Sequence, residues 1–595
     1  MGLISPTLPD TDLGEWRQQP YLHRIKTQVL HWGENGFGSP VGTYFFYIIK
    51  MAGYVLIPAW IIADSTPGLG GLGNFGDWWT EPIVFQKFIV FTILFEVLGF
   101  GSGSGPLTMR FLPPIGSMTY WLRPGTLRLP PWPGKVPFTK GDQRSIVDVA
   151  LYGAVIGSLV WGLISDGAPG GPGNAGLLDT TVIVAIIASI VVMGLRDKTV
   201  YLACRSDQYL IMVIAFLFPF VDMIVALKLV MVAVWWGAAT SKLNHHFPYV
   251  VSVMVANGPL RPKWFKRKLF KNFPDDMRPS RLSFLLAHTG TVIEYCVPAV
   301  LLFSQGGWVT TVGIAIMVVF HLHILSAIPA GVPLEWNIFV IFGAIFLFGH
   351  YENGAGYWLT DLTNPLLVVG LLGAVLAMIV IGNTKPAWIS FLHGMRYYAG
   401  NWDTTMWIMR PGVEDVLDEK VTKSAKMTIK QLNVLYDSDT SEFLLQKAVA
   451  WRTMHATGRA LIGIVPRAVE RPDDYTIREG EFHCGALLGW NFGDGHLHDE
   501  QMLAALQRRC QFSDGDVRVI VMEAQPIHRQ SQRYRIVDAA TGVIEEGVVR
   551  ISDLVNRQPW LDDDYPTIPV QVTWRRPDTP SQRWQGETAP PRAEV

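Results

Sequence analysis

Cysteine, charge and phosphate-binding glycine motifs are all scarce in this chain. Its four cysteines, Cys204, Cys296, Cys484 and Cys510, are too scattered for a disulfide framework or a CxxC metal site. Charged residues make up only 17% of the 595 positions, with a net charge of −1. No basic domain is visible, so no nucleic-acid partner is expected. No P-loop is present and no GxGxxG follows a strand. The Gly-rich "FGSGSGPL" (100–107) lacks the Lys-Ser/Thr pair that a phosphate loop needs. The opening "MGLISPTLPDTDLGEW" has no basic stretch leading into an apolar one, and proline at position 6 breaks the myristoylation pattern. The first apolar segment is therefore expected to act as its own targeting signal. No internal repeat is found.

Apolar residues, by contrast, are abundant, and they crowd before residue 382 while most charges follow it. That asymmetry predicts a polytopic helical membrane part joined to a soluble part. Runs long enough to span lie near 43–63, 83–101, 147–165, 181–196, 207–240, 283–303, 308–328, 335–349 and 364–382, with Pro219 interrupting the longest. About ten crossings are expected. The connections 64–82, 166–180 and 350–363 hold acids but no Lys or Arg, whereas 102–146, 196–206 and 261–281 are rich in both. By the positive-inside rule the second group is cytoplasmic, which puts both termini and the soluble half in the cytoplasm of a plasma (inner) membrane protein. The expected organisation is a cytoplasmic segment over 1–40, a transmembrane domain over 41–384 and an interfacial connector over 385–424. An α+β domain over 425–575 and a disordered tail over 576–595 complete it.

Strands are predicted at "MTIKQLNVLYD", "RALIGIVP", "DVRVIVMEA", "RYRIVDA" and "TIPVQVTW", with helices near 441–456 and 499–511. The polar cluster "EFHCGALLGWNFGDGHLHDE" (481–500) offers His483, Cys484, Asp494, His496, His498 and Asp499 as zinc donors. A turn followed by a helix N-capped near Asp499 explains the same residues without metal, so neither metal nor cofactor is expected.

Ionisable side chains inside apolar runs are costly, about 2.5–3.5 kcal/mol at a helix centre on insertion scales. Lys50, Lys87, Glu96, Asp222, Lys228, Glu294, His321 and His323 lie in such runs, with Glu335 at a span start. Structural pairing is the ordinary fate of such groups. His321 and His323 are two positions apart, a rotation of about 200° on a helix, so they point to opposite faces and share no metal. Lys242, in "WWGAATSKLNHHFP" (235–248), stands out because His245 and His246 follow within a turn. A desolvated lysine there can act as a general base; a lysine capping helix carbonyls would look the same. "PKWFKRKLFKNF" (262–273) alternates aromatics with cations, as an interfacial anchor does, and offers Lys263, Lys266, Arg267 and Lys268 to anionic lipid.

"SKLNHHFP", "HTGTVIEYCVPAVLLF" (288–303) and "FHLHILSAIPAGVPLEWN" (320–337) resemble the horizontally transferred transmembrane (HTTM) domain of vitamin K-dependent γ-carboxylases, over roughly residues 40–400. In that family a lysine followed by leucine is the base on reduced vitamin K, and Lys242 matches it. Here Asn244 and His245-His246 replace the acidic residue and tryptophan that follow in the carboxylases. "GSGSGPLTMRFLPPIGSMTYWLRPGTLRLP" and "FLHGMRYYAGNWDTTMW" (391–407) resemble an uncharacterised actinobacterial transmembrane family over almost the full length. That resemblance implies a role in maturation of lipomannan and lipoarabinomannan.

Three functions are therefore carried forward. The first binds or moves a lipid-linked cell-envelope precursor, with Lys242, Asn244, His245, His246 and the basic residues 263–268 as lipid contacts. The second is an integral membrane enzyme using Lys242 as base, with Glu294 or His321 assisting. The third is a scaffold for an envelope synthase complex, with envelope-biosynthesis proteins as partners. Homo-oligomerisation fits all three.

Overall fold

The structure, a computed structural model, describes residues 2–169, 172–327, 334–561 and 568–577. The predicted tail from residue 578 on and "IPAGVP" (328–333) of the 320–337 segment thus lie outside the described residues. Helix α1 (Tyr21–Asn35) precedes the first apolar span, α2 (Val41–Ser65). Helices α3 (Pro82–Leu98), α4 (Ile146–Ile164), α5 (Thr180–Arg196), α6 (Phe220–Ser241) and α7 (Phe247–Asn257) follow. The membrane part closes with α8 (Arg281–Phe303), α9 (Gly307–Ser326), α10 (Leu334–Ala344) and α11 (Pro365–Thr384).

Six of these helices, α2, α4, α6, α8, α9 and α11, are long and apolar enough to cross a membrane, and a seventh span results if the bent pair Leu334–His350 and Asn353–Asp361 counts as one. Ten crossings is therefore corrected downward. The reason is that an apolar run is not always a lipid-facing one. Helix α3 is buried on every side, a core helix rather than a lipid-facing one. Helix α5 has only 17 residues. The 207–240 run breaks at Pro219, which N-caps α6 after a short helical stretch ending at Ala215. Among the spans, α6 is the central one, packed on α8 and α11 and buried along most of its length.

The two classes of connection gather at opposite ends of the bundle. The acidic ones meet each other: the Asn174 N–H donates to Glu81 at 2.9 Å, the Tyr351 hydroxyl to the Thr80 carbonyl at 3.4 Å, and the Thr363 N–H to Asp222 at 2.7 Å. The basic ones all pack on the C-terminal part. Tyr120 Oη donates to the Ala486 carbonyl (2.7 Å), Lys198 reaches the His496 carbonyl, and Arg278 Nη1 donates to the Asn556 carbonyl (3.1 Å).

That C-terminal part is a six-stranded, wholly antiparallel sheet of β1 (Thr404–Met409), β2 (Thr476–Glu479), β3 (Val517–Met522), β4 (Ser531–Asp538), β5 (Gly542–Arg550) and β6 (Gln571–Arg575). The order is β2-β1-β3-β4-β5-β6, with Trp407 facing Val519 across the β1–β3 ladder. Helices α12 (Ser438–Met454), α13 (Ala456–Ala468), α14 (Gly480–Leu488) and α15 (Glu500–Cys510) cover it. Three predicted strands fall on β3, β4 and β6. "MTIKQLNVLYD" instead contains the helix Thr428–Leu432, and "RALIGIVP" lies within α13. All but one residue of α13 are buried, and a short apolar run hidden on every side carries no period to separate helix from strand. Strand β1 sits in the stretch read as a connector. Helix α1 packs on α12, where Gln28 Nε2 donates to the Phe443 carbonyl at 2.9 Å, so the N-terminal segment belongs to this same end of the molecule.

Candidate functional site

Lys242 is the C-cap of α6, its N–H donating to the Ala239 carbonyl. The chain then turns sharply. Asn244 holds the turn from both sides, donating to the Ser241 carbonyl at 2.5 Å and accepting from the His246 N–H at 2.7 Å. Pro248 in the first turn of α7 restarts the helix without wasting a donor. The Lys242 ammonium lies 2.6 and 2.5 Å from the two oxygens of Glu294, which projects from the middle of α8. Lys242 is 8% exposed and Glu294 4%. The amine also lies 5.0 Å from the Phe247 ring centre. A buried pair so made is held by mutual attraction against a large desolvation cost, and removing either member alone leaves an uncompensated charge.

The pair sits in the wall of a cavity of about 640 Å³. The rest of the wall is apolar almost throughout: Val250, Val251 and Met254 from α7, Leu286 and Ile293 from α8, and Val312, Ile316, Val319 and Phe320 from α9. Val312, Ile316 and Val319 are also exposed on the outer flank of α9. The chamber therefore opens along the flank of α9, between helices, with exposed His323, hydrogen-bonded to Arg261, at its rim. Its volume falls within the usual 300–1,000 Å³ range of small-ligand sites.

Only some of the anticipated site residues reach it. Lys242 and Glu294 do. His245 is exposed at the turn, and Asn244 is spent on the turn itself. His246 points away, toward the sheet part, where its Nε2 pairs with Gln525 Oε1 at 2.8 Å. His321 is buried between helices, its Nε2 accepting from Trp235 Nε1 (3.1 Å) and its Nδ1 donating to Asn337 Oδ1 (2.8 Å). With both nitrogens engaged it is a core histidine, not an auxiliary acid; His323, on the opposite face, lines the chamber. The basic segment forms the five-residue helix Lys263–Arg267 and then the short strand Phe270–Asn272, paired with Asp276–Pro279. Lys263 and Arg267 pair with Glu34, Lys268 lies over the Trp264 ring, and Lys266 is buried, which removes it as a lipid contact.

Three other ionisable groups of the bundle have structural partners. Asp222 accepts from the Thr363 and Asn364 N–H groups and so holds the start of α11; Lys228 donates to Asn353 Oδ1 and the Tyr357 carbonyl; Lys87 donates to Thr66.

A second pocket, of about 60 Å³, lies where the bundle meets the sheet part, and shares Tyr397 and Tyr398 with the chamber. Arg110, Trp402, Trp451, Glu481 and Asn491 line it. Sequence reading missed it, because Arg110 looks like one more cation of a cytoplasmic loop. The available signal was the aromatic density of "RYYAGNW". Tyr398 within that stretch and Met395 just before it have φ near +50°, a conformation that non-glycine residues seldom adopt, and such strain gathers at functional sites. Burial first, then neighbouring Glu479, pushes the Glu481 carboxyl up to about 7, with Arg452 opposing at 3.1 Å.

The 481–500 cluster does not assemble as a zinc shell. Asp499 N-caps α15, accepting from the Gln501 N–H at 2.9 Å, and His498 Nδ1 pairs with Thr405 Oγ1 at 2.6 Å. His483 lies beside Glu414 and Trp407, and Cys484 is buried in α14. Asp403, Asp494 and His496 do converge, with one ligand atom each within 4.8 Å of the others. Their atoms already serve the protein: Asp403 accepts from the Ala524 N–H and from Arg396, Asp494 accepts from the His496 N–H, and His496 Nε2 meets Glu523 at 3.3 Å. This is an ion-pair network.

Taken with the bundle, these features define a polytopic helical membrane protein whose basic end is closed by an antiparallel sheet domain, with a laterally open apolar chamber between its helices. Residues 1–573 match the family described as a transmembrane protein of unknown function (DUF3556), and the chain belongs to that family. No curated protein and no solved structure matches it.

Proposed function

We propose that this protein binds a membrane amphiphile in the chamber beside Lys242. The observation carrying this reading is the lateral opening: an apolar cavity continuous with the lipid-facing flank of α9 admits hydrocarbon directly from the bilayer. A lipid-linked envelope precursor is the amphiphile this reading names, in a plasma membrane with both termini cytoplasmic, and support of lipomannan and lipoarabinomannan maturation is the role proposed for it. The basic connections clustered under the sheet domain favour that orientation.

The enzyme reading draws less support. The amine is committed as a donor to both oxygens of one carboxylate, whereas a general base must turn a free lone pair toward its substrate. Native mass spectrometry of the gently extracted full chain tests the proposal, with an amphiphile expected to co-purify. In Lys242→Met/Glu294→Gln, where no buried charge is orphaned, retention should fall severalfold without unfolding. Wild-type protein carrying no specific lipid would sink the reading.

A further inference from the structure

Arg110 is 3% exposed, and its guanidinium makes a single hydrogen bond, from Nη2 to the Gly485 carbonyl. Nε and Nη1 are buried and without a partner, and among the described residues no carboxylate pairs with it. Its guanidinium carbon lies 5.7 Å from the centre of the Tyr120 ring, whose hydroxyl also interacts with it. Every other arginine with a fully buried guanidinium has either a carboxylate or several carbonyls to satisfy it: Arg144 has Asp197, Arg205 has Asp207, Arg396 has Asp403, Arg452 has Glu479, and Arg459 reaches three carbonyls. Arg110 has neither, and an unpaired buried cation is strongly destabilising unless something supplies the countercharge.

Two further polar atoms of the same pocket are buried without partners. Trp451 Nε1 is a donor and Asn491 Oδ1 an acceptor, each residue 8% exposed. Trp402 and Trp451 stack at 5.8 Å and supply a flat apolar wall. The pocket is thus rich in unused donors, three against one acceptor. A tetrahedral anion with several acceptor oxygens uses them; a cation or an uncharged hydrocarbon does not. Size agrees. A water needs about 10–15 Å³ by this measure, so a pocket of about 60 Å³ has room for a phosphate group.

We infer that the Arg110 pocket is a phosphate-recognition site for a phosphate monoester or diester, with Arg110 Nε and Nη1 and Trp451 Nε1 as donors and the tryptophan wall against the ester carbons. The shared wall of Tyr397 and Tyr398 sets this site beside the apolar chamber. An anionic headgroup would occupy it while the tail lies in the chamber. That connection rests on the amphiphile reading above; the phosphate assignment does not, since a free phosphate compound would meet the same donors.

The test uses the full chain in detergent with three probes: dioctanoyl phosphatidic acid, dioctanoylglycerol and inorganic phosphate. Binding is read from tryptophan fluorescence and from the shift in melting temperature. The acid should bind wild type at least tenfold more tightly than the diglyceride. Arg110→Gln should lose that preference yet keep its diglyceride affinity. Arg110→Lys, which keeps the charge and so guards against misfolding, should lose part of it. Inorganic phosphate alone should raise the melting temperature of wild type and not of Arg110→Gln. Stabilisation by phosphate with neither amphiphile bound would keep the anion site, assign it a free ligand and discard the lipid reading. Equal affinity for both amphiphiles with no stabilisation by phosphate, or a preference that persists in Arg110→Gln, would overturn the inference.

Discussion

At His496 three carboxylates decide the charge of one imidazole. Burial alone would push it down, but Asp403, the hydrogen-bonded Glu523 and Asp494 outweigh burial and lift it to about 10. Glu523 is held low in return, by His496 and Arg535 working against its own burial. The folded state therefore keeps a proton that the unfolded chain releases near its ordinary pH of 6.5. Stability from this network is fully present below about pH 6.5 and is lost as pH rises toward 10. Thermal unfolding across that range should fall for wild type, whereas His496→Gln should start lower at pH 7 and converge with wild type near pH 10. A constant gap would refute the linkage. The sequence placed His496 and Asp494 in one dense cluster; it gave no sign of Asp403 or Glu523, which arrive just before β1 and just after β3 from 93 and 27 residues away.

Among elements, the connection 102–146 is the one that docks membrane part to sheet part. Its Gly116 faces Gly489, the αL residue ending α14. The Ser117 N–H donates to the Gly489 carbonyl at 2.6 Å, and a Cβ on Gly116 would stand 1.9 Å from that same oxygen. Gly116→Ala must therefore separate two backbones. Limited proteolysis should cut the 102–146 connection at least several times faster in Gly116→Ala than in wild type. Gly157→Ala in α4, where a Cβ meets nothing within 4 Å, should behave as wild type. Proline and aromatic residues in this connection suit an ordered cover over the basic end, and such a cover is present. Which surface it covers was illegible, because docking by backbone carbonyls leaves no side-chain pattern to read.

Across the whole molecule one apolar core runs from α1 and the membrane helices into the sheet. Trp121 Nε1 donates to the Leu488 carbonyl at 3.2 Å, and the Ile527 N–H to the Asn383 carbonyl at 2.9 Å, so the bundle's own loops are completed by the C-terminal part. A chain ended at residue 384 would uncover that core and strand those donors. We expect it to aggregate on size-exclusion chromatography in detergent that keeps the full chain monodisperse. A monodisperse fragment would instead mean that the two parts are independent folding units, as the composition change near residue 384 taken alone implies.

Composition and periodicity by themselves determined that this is a membrane protein with a mixed soluble part, and which connections share an end, because hydrophobic length and loop charge are one-dimensional properties. They also singled out Lys242 and Glu294, since a charge in an apolar run is conspicuous wherever it points. Only tertiary structure decided that those two meet, that His246 and His321 turn away, and that α3 lies in the core of the bundle. Pairing, burial and the emptiness around Arg110 are properties of neighbours distant in the chain, which no local pattern encodes.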